Sequence, residues 1–199
     1  ILDKLEDKDS DPETLALVAI ASLASGDTEA GEALMERSLK LNPDNLQLRL
    51  RYANYLSLAG KHARAIDLAR QVVDKAPDLD RARSLLIQAQ ARSGDVAAAI
   101  ATVSEWIKND PDNVDALVIR GNLAASQDKV EEAHRYFTQA LSKDSDAHEP
   151  VIALGKLALN QDNKTEAQKQ FRKAVELAPD SRQALQGLAS VLDLSLIHH

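Results

Sequence analysis

Three prolines, Pro43, Pro77 and Pro111, recur every 34 residues, and Pro179 follows after twice that interval. A fixed period of this length means that one supersecondary element is written repeatedly, which constrains the chain far more than its overall make-up does. Pro12 lies 31 residues before Pro43 and falls outside the register. Placing the first three prolines at position 32 defines five segments, 12–45, 46–79, 80–113, 114–147 and 148–181. In each, two apolar stretches of 3.6-residue periodicity flank a breaker at position 15: Gly26, Gly60, Gly94, Asp128 and Asp162. Glycine closes a helix in the left-handed conformation, and aspartate tolerates that conformation or caps the next helix. The junctions LNPDN, KAPDL, NDPDN and LAPDS put proline just past a helix end. Proline cannot continue the helix and pushes the residue before it out of α geometry. Each segment is therefore expected to be a helical hairpin, and the chain all-α.

The remaining stretches lie at the two ends. Residues 1–11 form an acidic lead with Asp3, Glu6, Asp7, Asp9 and Asp11 against Lys4 and Lys8. This reads as a solvated lead or the tail of a preceding helix. Residues 182–194 read as one more amphipathic helix, either a cap for the last hairpin or the start of a sixth segment. Residues 195–199 read as a tail whose Leu-Ile-His-His is set aside as an expression remnant. The chain begins with Ile1 and its only methionine is Met35, so it is read as part of a longer protein.

These 34-residue helix-turn-helix segments resemble the tetratricopeptide repeat, or TPR. The family places large apolar residues at positions 7 and 24, small ones at 8, 20 and 27, and proline at 32. The fifth segment matches with Leu154, Gly155, Ala167, Phe171, Ala174 and Pro179, and the second with Tyr52, Ala53, Ala65 and Pro77. The fourth has Gly121, Ala133, Phe137 and Ala140, but Arg120 in the leucine slot and Ser145 in the proline slot. The third keeps Leu86, Ala99 and Pro111 but has Ile87 and Trp106 at small positions, which implies wider spacing or local repacking. The first carries Gly31 and Ser38 in alanine slots.

The resemblance implies a right-handed superhelical α-solenoid whose first helices line a concave groove. Positions 2, 5, 9 and 12 would face that groove. The candidate lining is Leu50, Asn54, Arg81, Gln88, Arg92, Val118, Asn122, Ile152 and Lys156. Asn54, Gln88 and Asn122 stand 34 residues apart, so three carboxamides are expected in one row. A carboxamide donates and accepts, and so suits the N–H and C=O of an extended peptide, although exposed helix faces carry Asn and Gln in any case.

Charge narrows the choice of partner. The chain is acidic, with formal net charge −7 from 24 basic and 31 acidic residues, which opposes nucleic-acid or anionic-membrane binding. Within residues 46–93, however, nine basic side chains face four acidic ones. Arginine binds carboxylates in two-point fashion, so an acidic segment or free C-terminus would be drawn there; a solvated mixed surface is the plainer reading. The carboxylate clamp of chaperone-binding TPR domains is not assembled in any register. Starting at the first segment, for example, its slots hold Ala16, Ile20, Arg51, Arg81 and Leu85.

No catalytic or cofactor motif is present: there is no GxGxxG, GxxxxGK[ST], HExxH or GxSxG. With no cysteine, disulfides and Cys-ligated zinc are excluded. His62, His134 and His148 lack partners at metal-ligand spacing. Asp7, Asp9 and Asp11 do not make a calcium loop, because Pro12 stands in the glycine slot and Val18 in the glutamate slot. The longest apolar stretch, Leu15 to Ala24, is half the ~20 residues a membrane-spanning helix needs. The expectation is a soluble, non-enzymatic module without cofactor or metal, in the cytoplasm or the periplasm, whose groove binds a peptide segment of a partner protein. The alternatives are a scaffold segment of a longer bacterial TPR protein, envelope or polysaccharide-export related and self-associating through its terminal repeats, or a regulatory array for a catalytic domain outside these residues.

Overall fold

The computed structural model describes residues 11–196, with side chains through residue 192. The acidic lead over residues 1–10 and the last three residues of the tail lie outside the described residues. Eleven helices and no strand are found among the described residues: α1 (Pro12–Ser25), α2 (Thr28–Leu41), α3 (Leu46–Leu58), α4 (His62–Lys75), α5 (Asp80–Arg92), α6 (Val96–Asn109), α7 (Val114–Ala125), α8 (Val130–Lys143), α9 (His148–Asn160), α10 (Lys164–Leu177) and α11 (Arg182–Leu196). The odd-numbered helices start at residues 12, 46, 80, 114, 148 and 182, each 34 after the last.

Local chemistry sets these boundaries. Gly26, Gly60 and Gly94 have φ of 91°, 79° and 89°, and Asp128 and Asp162 both have φ of 57°. All five breakers therefore adopt the left-handed turn that ends a first helix. Helix starts are capped by side-chain oxygens: Asp11 accepts from Thr14 N at 2.9 Å, Asn45 from Leu48 N at 2.9 Å, Asp95 from Ala98 N at 2.9 Å and Asn113 from Ala116 N at 3.0 Å. Asp11 thus belongs to the first helix rather than to the lead. At the other end α11 runs to Leu196, two residues beyond the expected boundary at 194. No glycine or proline stands between Gly187 and the end of the helix, so nothing local breaks it.

The chain divides into two compact parts, residues 1–94 and 95–199. The N-terminal part contains α1 to α5, with a core that includes Met35, Leu48, Tyr52, Leu56, Leu68, Val72 and Leu86. The C-terminal part contains α6 to α11, with Phe137, Leu154 and Leu157 in one cluster and Val151, Phe171 and Val191 in another.

The departures from the family pattern have packing explanations. A Cβ on Gly31 would stand 2.6 Å from Leu23 Cγ and Cδ2, so glycine makes room for that leucine. Ser38 is fully buried, and its hydroxyl donates to the Pro12 carbonyl at 2.6 Å. Arg120, in a leucine slot, is only 9% exposed. Its Nη2 donates to Glu132 Oε1 at 2.5 Å, and its guanidinium lies 5.0 Å from the centre of the Tyr136 ring.

Candidate peptide-binding site

In the N-terminal part, α1, α3 and α5 supply most of the lining of two neighbouring hollows. The larger, of about 360 Å³, has an apolar wall of Ile20, Leu23, Ala24 and Met35, and a polar side of Arg51, Asn54, Tyr55 and Arg81. The smaller, of about 160 Å³, is lined by Leu50, Asn54, Arg81, Ser84, Leu85 and Gln88. Asn54 and Arg81 border both. Arg51, Asn54 and Tyr55 are spaced i, i+3 and i+4 on α3, which puts them on one helix face.

Ion pairing sorts the nine cations of residues 46–93. Lys61 bridges Glu32 at 2.6 Å, Arg64 bridges Glu36 and Asp67 at 3.1 and 3.0 Å, Lys75 bridges Asp44 at 2.5 Å and Arg83 bridges Asp80 at 3.1 Å. The Lys75 ammonium holds the Asp44 carboxyl below its ordinary range. Arg49 donates to Gln71 and to the Pro43 carbonyl. Arg92 donates to the buried Ser57 hydroxyl at 3.1 Å. Arg51, Arg70 and Arg81 make no hydrogen bond or ion pair among the described residues, and all three are exposed. Two of the three, Arg51 and Arg81, line the same hollow.

The structure thus brings Leu50, Asn54, Arg81 and Gln88 to one place. Arg92 is engaged with Ser57 instead. The other expected lining residues belong to the C-terminal part. There Asn122 and Lys156 are exposed, Val118 is half-buried, and Lys156 donates to Gln183 Oε1 at 3.1 Å. Leu50 and Ile152 keep only 3% and 4% exposure, although Leu50 still borders the smaller hollow. The reason is crowding. α3 packs against both α4 and α5, and α9 against α7, α8, α10 and α11, so only a narrow strip of each first helix stays open. The expected lining omitted Arg51 and Tyr55; the signal that points to them is their i, i+3, i+4 spacing with Asn54.

A sequence profile of the tetratricopeptide repeat matches residues 56–118 and 124–192, and a second profile of the same repeat matches residues 19–80. No curated protein sequence matches the chain significantly. Among solved structures, the thermophilic TPR protein TTC0263 of Thermus thermophilus superposes with a TM-score of 0.70 at 23% identity, covering 91% of this chain and 98% of that one. PilW, described as a type IV pilus biogenesis factor, gives a TM-score of 0.62 at 17% identity, covering 90% of each chain. YrrB, described as a TPR protein with an unusual peptide-binding site, gives 0.53 at 15% identity, covering 93% of this chain and 95% of that one. No helix among the described residues is long and apolar enough to cross a membrane. The matched profiles together with the shared all-α repeat fold establish that the chain belongs to the tetratricopeptide repeat family, whose general role is protein interaction.

Proposed function

We propose that the protein is a non-catalytic interaction module whose N-terminal part binds a peptide carrying a carboxylate next to a bulky apolar side chain. The observation that carries this reading is the pair of arginines without partners, Arg51 and Arg81, beside the wall of Ile20, Leu23 and Met35. An arginine fork aimed at no internal carboxylate is free to take one from a ligand. The apolar wall would supply hydrophobic contact, and the carboxamides of Asn54 and Gln88, which make no hydrogen bond among the described residues, would pair with peptide backbone. Support also comes from YrrB, in which the same fold carries a peptide-binding site.

The test is selection from a library of random dodecamer peptides, followed by fluorescence anisotropy on the enriched sequences. Enrichment of Asp or Glu beside Leu, Ile or Phe is expected. Charge-assisted hydrogen bonds contribute about 1.5–3 kcal/mol each, so Arg51→Ala and Arg81→Ala should each weaken binding roughly 10-fold or more. Asn54→Ala should have a smaller effect. Selected peptides that lack carboxylates, or that bind the double arginine variant as tightly as the parent, would contradict the reading.

A further inference from the structure

The arginine hollow continues into a third one. Glu13, Ala16, Leu17 and Ile20 of α1 face Leu48 and Arg51 of α3 across a space of about 310 Å³. Ile20 and Arg51 border this space and the 360 Å³ hollow alike, so the two adjoin across these side chains. Early residues of α1 meet early residues of α3 in the one, and later residues meet later residues in the other, so both helices run the same way along a single furrow. From one hollow to the next the lining advances by about six residues of α1 and about five of α3, which at a rise of about 1.5 Å per residue sets their centres about 7–9 Å apart. An extended chain returns a side chain to the same face every second residue, about 6.6–7 Å further on.

The third hollow has its own chemistry. Leu17 follows Glu13 by four residues and precedes Ile20 by three, so all three share the α1 face that lines the furrow. Leu17 is 67% exposed although both walls of the furrow are in place, and the buried Leu48 lies opposite. Charge completes the pattern. The Asp11 carboxylate is taken up by the α1 cap, accepting from Glu13 N, Thr14 N and Thr14 Oγ1 at 3.0, 2.9 and 2.5 Å. Glu13 itself is exposed and has no ion pair among the described residues. The furrow therefore runs from an open carboxylate at Glu13, past Arg51, to the open guanidinium of Arg81.

We infer that the bound segment is an extended strand lying lengthwise between α1 and α3, with apolar side chains at two alternate positions, a carboxylate at the Arg81 end and a cation at Glu13. The inference rests on the arginine hollow taking a carboxylate, and it adds a second apolar subsite at Leu17 and a cation subsite at Glu13. Opposite charges at the two ends of the furrow fix which way the strand lies, because the reversed pairing would set like charges against each other.

The test uses fluorescein-labelled peptides read by anisotropy. The reference probe is Gly-Glu-Leu-Ser-Leu-Lys-Gly, made in both chain directions. A second probe replaces the leucine next to lysine by serine, a third replaces the lysine by glutamate, and a fourth sets the leucines four positions apart, as on a helix face. The reference should bind roughly 5-fold or more tightly than the second probe. It should exceed the third by about 2- to 5-fold, a margin that shrinks as salt rises. Leu17→Ser should weaken the reference but leave the second probe unchanged, and Glu13→Lys should reverse the preference between reference and third probe. Both side chains are exposed, so thermal unfolding should stay in place. Arg51→Ala/Arg81→Ala should weaken every probe. Binding that needs those arginines but ignores the second leucine, Leu17 and Glu13, or that is tightest for the fourth probe, would overturn this inference and leave the arginine hollow's role standing. Binding that ignores the arginine pair would overturn both.

Discussion

The two parts of the molecule meet the same 34-residue period with different chemistry. In the N-terminal part, successive second helices are laced along their outer flank by Lys61–Glu32, Arg64–Glu36 and Lys75–Asp44. In the C-terminal part only the last of these recurs among the described residues, as Lys143–Asp112 at 2.5 Å, and aromatic rings seated on glycines join it. A Cβ on Gly121 would stand 2.4 Å from the Phe137 ring, and one on Gly187 would stand 2.3 Å from Phe171, which also lies against Gly155. Position 24 is Phe137 and Phe171 in α8 and α10 and Val103 in α6, but Met35 and Ala69 in the N-terminal part, where position 8 is Ala19, Ala53 and Ile87. The lesson is energetic. Exposed ion pairs contribute at most about 1 kcal/mol each and depend on salt, whereas removing a buried phenylalanine costs roughly 3–5 kcal/mol.

The largest expected effect is therefore Phe171→Ala, which should lower stability by about 3–5 kcal/mol in urea unfolding. It should loosen α11 as well as α9, because the ring abuts glycines on both helices. Next comes the Arg120–Glu132 pair. Glu132→Ala would leave the 9%-exposed guanidinium without its carboxylate and should cost about 1–3 kcal/mol. Arg120→Leu, by contrast, restores the family residue and should be neutral or stabilising. A more costly Arg120→Leu would show that the cation packs better than a leucine. Smaller still, Lys61→Ala and Arg64→Ala should each cost under about 1 kcal/mol, and less as salt screens the exposed pairs.

The smallest effect is a pH dependence. Burial, followed by the Glu36 and Glu32 carboxylates, pushes the Tyr52 phenol well above its ordinary range. The folded chain therefore keeps this proton to higher pH than the unfolded chain does. The associated stability is complete below the unfolded value of about 10 and is lost as pH rises past it. Tyr52→Phe should flatten that alkaline decline. An unchanged slope would place the decline in another group.

Most of the architecture was legible because the period and its breakers act locally. The left-handed turns at Gly26, Gly60, Gly94, Asp128 and Asp162, and the helix starts 34 residues apart, follow from residues within one turn of each boundary. Ser38 and Gly31 looked like degeneracy, since their reasons, the Pro12 carbonyl and the Leu23 side chain, are distant in sequence or on another helix. The candidate site was less legible. Leu50 and Ile152 were expected in the lining because a single helix shows them on the groove face; how little of each stays open is decided by how many neighbours crowd that helix. Arg51 differs from Arg64 only in what faces it. A charge count gives both the same weight, and only the fold shows that one meets open space and the other meets Glu36.

The most direct test of the central claim is an amide NMR titration of the whole chain with an acidic, leucine-containing peptide taken from the library selection. The account predicts shifts concentrated on α1, α3 and α5 around Ile20, Arg51, Asn54 and Arg81, abolished by Arg51→Ala/Arg81→Ala. Shifts confined to the outer flanks of α2 and α4, or persisting in that double variant, would contradict it.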